Sequence, residues 1–83
     1  MARVTVYTTS VCPYCVQAKR LLSDRSIPYV EVDIGTDEAR RDEMIERAGG
    51  RRTVPQIFID DEHVGGYTEL QALADAGGLA GLS

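Results

Sequence analysis

The hydrophobic period of this chain switches from strand-like to helix-like near its start, and its only two cysteines sit at the switch, in Cys12-Pro13-Tyr14-Cys15. Arg3 to Thr8 is a β-branched run of strand length, with Val4, Val6 and Tyr7 set among threonines. Val11, Cys15, Ala18 and Leu22 then recur at helical spacing, so Pro13 to Ser23 reads as an amphipathic helix. Pro13 suits the first helical position, where an N–H has no intrahelical partner to lose. A helix beginning here points its free N–H groups and its positive dipole end at the first sulfur, which favours the thiolate. The pattern therefore imposes a strand–helix unit and gives the cysteine pair the setting of a thiol–disulfide exchanger.

The remaining elements follow from the same signals. Ile27-Pro28 ends the helix and leads into a second strand, Tyr29–Asp33. Gly35 and Thr36 punctuate the chain, and Asp37-Glu38 place negative charge in the first turn of a helix that runs to Ala48 and stops at Gly49-Gly50. Its apolar face is thin (Ala39, Met44, Ile45, Ala48), which makes it the most weakly held helix. Gln56–Ile59 reads as a third strand, Asp60-Asp61-Glu62 as a polar turn and His63–Gly65 as a short fourth strand. Thr68-x-x-Gln71 has the form of a capping box opening a last helix, with Leu70, Leu73 and Ala74 inward, Gly77-Gly78 as its stop and a partly frayed tail through Ser83. The order βαβαββα predicts an α/β fold of thioredoxin-like type: a four-stranded mixed sheet flanked by three helices, in one domain spanning residues 1–83.

Composition narrows the function. With 9 Lys and Arg against 13 Asp and Glu, a net charge of −4 and no long basic stretch, nucleic acid is not an expected partner. No apolar run approaches the roughly 18 residues of a membrane span, and Met1 to Val6 shows no signal-peptide core, so a soluble cytoplasmic protein is expected. In that compartment a cysteine pair is more often catalytic or metal-binding than structural. A bridge closing so short a segment removes little unfolded-chain entropy, which also argues against a staple. A zinc site needs two further ligands, and only His63 remains among Cys and His. His63 itself, beside the acidic turn, reads as a solvated surface group. Arg40, Arg41, Arg47, Arg51 and Arg52 interleave with acids, as on a solvated helix face, and one or two are placed to guide an anion.

Two other segments carry information. In Thr53-Val54-Pro55 a proline precedes a core strand; this is either a simple strand start or a cis turn that leaves the Val54 backbone groups free to pair with a passing peptide. Gly65-Gly66-Tyr67-Thr68 is either a plain hairpin exit or a tight bend presenting N–H groups at a positive helix end, suited to a carboxylate.

Together and in this order, Cys12-Pro13-Tyr14-Cys15, Thr53-Val54-Pro55-Gln56-Ile57-Phe58-Ile59 and Gly65-Gly66-Tyr67-Thr68-Glu69-Leu70 resemble the glutaredoxins, in particular the short bacterial dithiol members, over nearly the whole chain. C-P-Y-C separates that family from thioredoxins, which usually carry C-G-P-C. The resemblance implies reduction of protein disulfides and of protein–glutathione mixed disulfides, with glutathione as co-substrate and no metal. It implies Cys12 as the nucleophile that takes glutathione into a mixed disulfide and Cys15 as the resolving thiol. Tyr14 would flank the bound tripeptide, Thr53, Val54 and a cis Pro55 would lie along its cysteine, and Gly66, Tyr67 and Thr68 would receive its γ-glutamyl carboxylate. Many relatives carry a lysine three residues before the first cysteine; Thr9 stands there in this chain, and Arg41 or Arg52 is expected to supply the missing charge. Implied partners are disulfide-containing or glutathionylated proteins, with ribonucleotide reductase a family client, met by a monomer. Two rival readings are a reductant recharged by thioredoxin reductase, which the glycine motif argues against, and an iron–sulfur carrier bridging two subunits through Cys12 and glutathione, which the proline of C-P-Y-C argues against.

Overall fold

Alternation along the first strand decides the architecture, because Val4 and Val6 point to one face of the sheet and Tyr7 to the other, and all three are buried. A strand buried on both faces needs helices on both, and the computed structural model, which describes residues 2–82, supplies them. The elements are β1 (Val4–Thr8), α1 (Pro13–Asp24), β2 (Tyr29–Asp33), α2 (Glu38–Arg47), β3 (Gln56–Ile59), β4 (Glu62–Gly65) and α3 (Tyr67–Asp75). Strand order is β2-β1-β3-β4; β2 runs parallel to β1 across the α1 crossover, and β3 and β4 are antiparallel to their neighbours. This is the mixed sheet with three helices that the element order predicts. Among the described residues no helix is long and apolar enough to cross a membrane.

One face of the sheet packs Val4, Val6 and Ile57 against Ala18 and Leu22 of α1 and Leu70 and Ala74 of α3. The other packs Tyr7 and Phe58 against Met44 and Ala48 at the end of α2, with the two aromatic rings edge to face, centroids 5.5 Å apart. Here the Tyr7 hydroxyl donates to Glu43 Oε2 at 2.6 Å and accepts from Arg47 at 2.7 Å, so part of the α2 contact is polar. Both predicted Gly-Gly stops are used: the N–H of Gly50 reaches Ile45 O (2.8 Å) and that of Gly78 reaches Leu73 O (2.8 Å), the bonds of a Schellman end.

Several sequence expectations need correction. Val11 falls on the helical spacing but precedes the N-cap, where the chain is still irregular, and it is 89% exposed. Ala39 is exposed, leaving α2 an even thinner apolar face than expected. β1 starts at Val4 and not Arg3, α1 continues to Asp24, α2 ends at Arg47, and β4 begins at Glu62, which leaves Asp60 and Asp61 as the turn. The capping box at Thr68-x-x-Gln71 does not form. α3 opens two residues earlier, with Gly66 as N-cap, and it is Glu69 at N3 whose carboxylate accepts from the Gly66 N–H at 2.7 Å. The tail is not frayed as far as Leu82, since Leu79 is buried in the α1–α3 core and Leu82 packs on it; Ser83, like Met1, lies outside the described residues.

Candidate active site

Cys12 is the N-cap residue of α1, extended at φ −154° and ψ 101°, followed by Pro13 at the first helical position. Its Sγ accepts a hydrogen bond from the Cys15 N–H at 3.1 Å, the bond that an N-cap oxygen usually makes. The two cysteines form a disulfide, with Cα atoms 5.2 Å apart, and their surroundings are unequal. Cys12 is half-buried, whereas Cys15, one turn into the helix, is 0% exposed. An incoming group reaches the first sulfur and not the second.

The Cys12 sulfur also lies 3.7 Å from the carbonyl oxygen of Val54, at the loop before β3, where the Val54–Pro55 peptide is cis. Beside this contact runs a cleft of about 140 Å³. Tyr14 lines it from α1, Thr53, Val54 and Pro55 from the loop, and Gly66, Tyr67 and Thr68 from the start of α3. Three segments far apart in sequence thus line one cleft, and the Cys12 sulfur adjoins it at the Val54 carbonyl. Tyr14 is 59% exposed, and its ring stacks on that of Tyr67 with centroids 6.1 Å apart. Tyr67 and Thr68 stand in the first turn of α3, where an α-helix leaves its N–H groups without intrahelical acceptors, so this wall of the cleft suits a carboxylate.

The Gly66 N–H is different: Glu69 has already taken it. The same carboxylate oxygen accepts from Arg51 at 2.8 Å, so one side chain ties the start of α3 to the segment before Thr53. The Gly66 N–H, then Arg51, hold the Glu69 carboxyl below its ordinary range. Gly65, at φ +124°, has no room for a side chain, because a Cβ there would strike Glu69. This close approach explains the glycine at position 65.

Arg51 and Glu69 are the residues of the cleft wall that the sequence reading did not nominate. The signal for Glu69 was present in the Gly66-x-x-Glu69 spacing, overshadowed by Thr68-x-x-Gln71. Of the two arginines nominated, Arg41 lines a separate depression with Gly35, Thr36 and Asp37, and Arg52 is exposed and outside the cleft lining. Thr9 is half-buried after β1 and likewise outside that lining. His63 is not simply solvated, since its Nε2 lies 2.6 Å from Gln56 Oε1 and its ring 5.0 Å from that of Phe58, although the residue as a whole is exposed. Burial, and then the nearby Arg51 charge, hold this imidazole below its ordinary value. Among the described residues no group of three or more His, Cys, Asp and Glu is placed to hold a metal ion.

Comparison with known proteins points to one family. The family model described as Glutaredoxin matches residues 4–64. Glutaredoxin 3 of Escherichia coli strain K12 is 52% identical over 79 residues, covering 95% of this chain and 94% of its own. Among solved structures, a glutaredoxin from Brucella melitensis superposes with a TM-score of 0.81 at 47% identity, covering 95% of this chain and 85% of that one. The dithiolic glutaredoxin 2-C-Grx1 of Trypanosoma brucei brucei does so with a TM-score of 0.83 at 36% identity, covering 95% and 84%.

Proposed function

Because the chain belongs to the glutaredoxin family of thiol–disulfide oxidoreductases, we propose that it removes glutathione from protein mixed disulfides, using Cys12 as nucleophile. The observation that carries this reading is the position of Cys12 Sγ: an N-cap atom accepting a backbone N–H, beside the Val54 carbonyl, next to a cleft that the start of α3 also lines.

In the reduced protein the Cys15 N–H and the positive end of α1 stabilise negative charge on Cys12. The Cys12 thiolate attacks the glutathione sulfur of a mixed disulfide; a new Cys12–glutathione bond forms as the old S–S bond breaks, and the client protein leaves as a thiolate that takes up a proton. A second glutathione thiolate then attacks the glutathione sulfur on Cys12, giving oxidised glutathione and restoring the Cys12 thiolate. Alternatively the deprotonated Cys15 sulfur attacks Cys12, releasing glutathione and closing the Cys12–Cys15 disulfide, which two further glutathiones reopen. Burial of Cys15 supports its role as the resolving partner, since only a group already within the protein reaches it.

Glutathione fits the cleft by chemistry. Its cysteine would pair with the Val54 backbone opposite Cys12, its chain would run past Tyr14 and Tyr67, and its γ-glutamyl carboxylate would meet the Tyr67 and Thr68 N–H groups and the Thr68 hydroxyl. Gly66 would contribute indirectly, through the cap that holds the helix start. Arg51, in place of Arg41 or Arg52, is the arginine of the cleft wall, and its pairing with Glu69 leaves the Tyr67 and Thr68 N–H groups as the main donors to a carboxylate. The reading takes residues 1–83 as one domain acting as a cytoplasmic monomer on disulfide-containing or glutathionylated proteins.

Cys12→Ser and Cys15→Ser, assayed on a glutathionylated peptide, test it. Cys12→Ser is expected to reduce activity to background and Cys15→Ser to retain much of it. Equal loss in both contradicts the route through a second glutathione.

A further inference from the structure

We propose that His63 is a positioning residue for the reaction at Cys12, acting through Gln56 on the peptide plane that joins Thr53 to Val54. The inference rests on the reading that the Val54 N–H pairs with glutathione. Gln56 is 0% exposed at the start of β3, on the face that also carries Phe58. Its amide nitrogen donates to the Thr53 carbonyl at 3.0 Å and to the Thr53 hydroxyl at 3.2 Å. That commitment fixes the amide, because turning it over would set its oxygen against the Thr53 carbonyl oxygen. The oxygen Oε1 therefore faces His63 Nε2 at 2.6 Å, and only a proton on Nε2 makes that approach favourable. Nε2 carries one in the cationic ring and in one of the two neutral tautomers, so this contact selects the tautomer.

The strand pairing explains how His63 reaches Gln56. His63 is paired with Phe58, the register is irregular between Ile57 and Phe58, and the His63 ring lies 5.0 Å from the Phe58 ring. Gln56 is the diagonal neighbour two residues back on the same face, within reach of a long side chain. The consequence lies at the other end of the chain of bonds. The Thr53 carbonyl and the Val54 N–H belong to one rigid peptide unit and point in opposite directions, so holding the carbonyl toward Gln56 aims the N–H away from it. The next carbonyl along, that of Val54, lies 3.7 Å from the Cys12 sulfur. Without the His63 donor, the buried Gln56 oxygen loses its partner and the amide is free to turn to find another.

Two variants and one spectrum of the wild-type protein test this. On a glutathionylated peptide, His63→Ala is expected to raise KM about fivefold to tenfold with kcat within about twofold of wild type, the size of one lost hydrogen bond. His63→Gln, which places a donor nitrogen near the position of Nε2, is expected to restore KM to within about twofold. In ¹⁵N spectra of the wild-type protein, the neutral His63 ring should be protonated at Nε2 and bare at Nδ1. An Nδ1-protonated neutral ring, an unmoved KM in His63→Ala, or a His63→Gln variant as impaired as His63→Ala would overturn the inference. The wild-type control is the same peptide carrying cysteamine in place of glutathione. Equal KM for the two peptides overturns the glutathione reading and this inference with it; a preference for glutathione alongside an unmoved KM in His63→Ala overturns this inference alone.

Discussion

The two faces of the sheet are held by different means, and the site draws on them unequally. On the first face α1 and α3 bury Ala18, Leu22, Leu70 and Ala74 against Val4, Val6 and Ile57, so the helices that begin at Cys12 and Gly66 are fixed by apolar packing. On the second face α2 offers only Met44 from within the helix as a buried residue and leans on the Tyr7, Glu43 and Arg47 bonds. Reactive sulfur and cleft wall thus sit at the ends of the well-packed helices. The weakly packed helix contributes to the site through the loop that follows it, where Arg51 and Thr53 stand and where Val54 packs against the second face's cluster.

Core truncation on each face sharpens the contrast. Leu70→Ala should cost about 3 kcal/mol or more of stability, as large buried deletions do, and raise KM in the molecules that remain folded, because it loosens the first turns of α3. Denaturant titration and kinetics on the folded fraction measure both. Met44→Ala should cost about 2 kcal/mol or more and lower kcat/KM of the folded fraction less than Leu70→Ala does, since the cleft meets its cluster through Val54. A Met44→Ala variant that loses activity as steeply as Leu70→Ala breaks the comparison.

The smallest expected effect concerns the clasp between the two cleft walls. The Glu69 carboxyl is held below its ordinary range by the Gly66 N–H and Arg51, so its stabilising contribution is complete above the ordinary glutamate value and is lost as pH falls through the lowered one. Glu69→Gln should lower stability at neutral pH by less than about 1 kcal/mol, since the pair is exposed, and flatten the decline on the acid side. Denaturation of both proteins across that range checks the sign; an unchanged acid decline contradicts the assignment.

Much of this arrangement is legible in the sequence where the determinant is local. The element order, the N-cap position of Cys12 and the Gly-Gly stops follow from periodicity and end chemistry within a few residues. Where two local signals compete, the sequence misleads. Thr68-x-x-Gln71 and Gly66-x-x-Glu69 both fit a helix start, and the second prevails because Gly65 permits the sharp turn and Arg51 reinforces the Glu69 carboxylate. Residues that act across elements leave no local signal at all. Arg51 meets Glu69 only after α3 folds against the loop before β3, and His63 meets Gln56 only through the irregular β3–β4 register. Arg41 and Arg52 were equally charged choices that differ from Arg51 in where the chain turns them.

On the proposed function, Cys12, the Val54 backbone and the start of α3 act as a single surface that reads glutathione. The most direct measurement is the mixed disulfide of ¹⁵N-labelled Cys15→Ser protein with glutathione, examined by nuclear Overhauser contacts. Contacts are expected from the glutathione cysteine to the Val54 amide and from its γ-glutamyl group to the Tyr67 and Thr68 amides. A glutathione that contacts neither, or that lies instead against Gly35, Thr36 and Arg41, would contradict it.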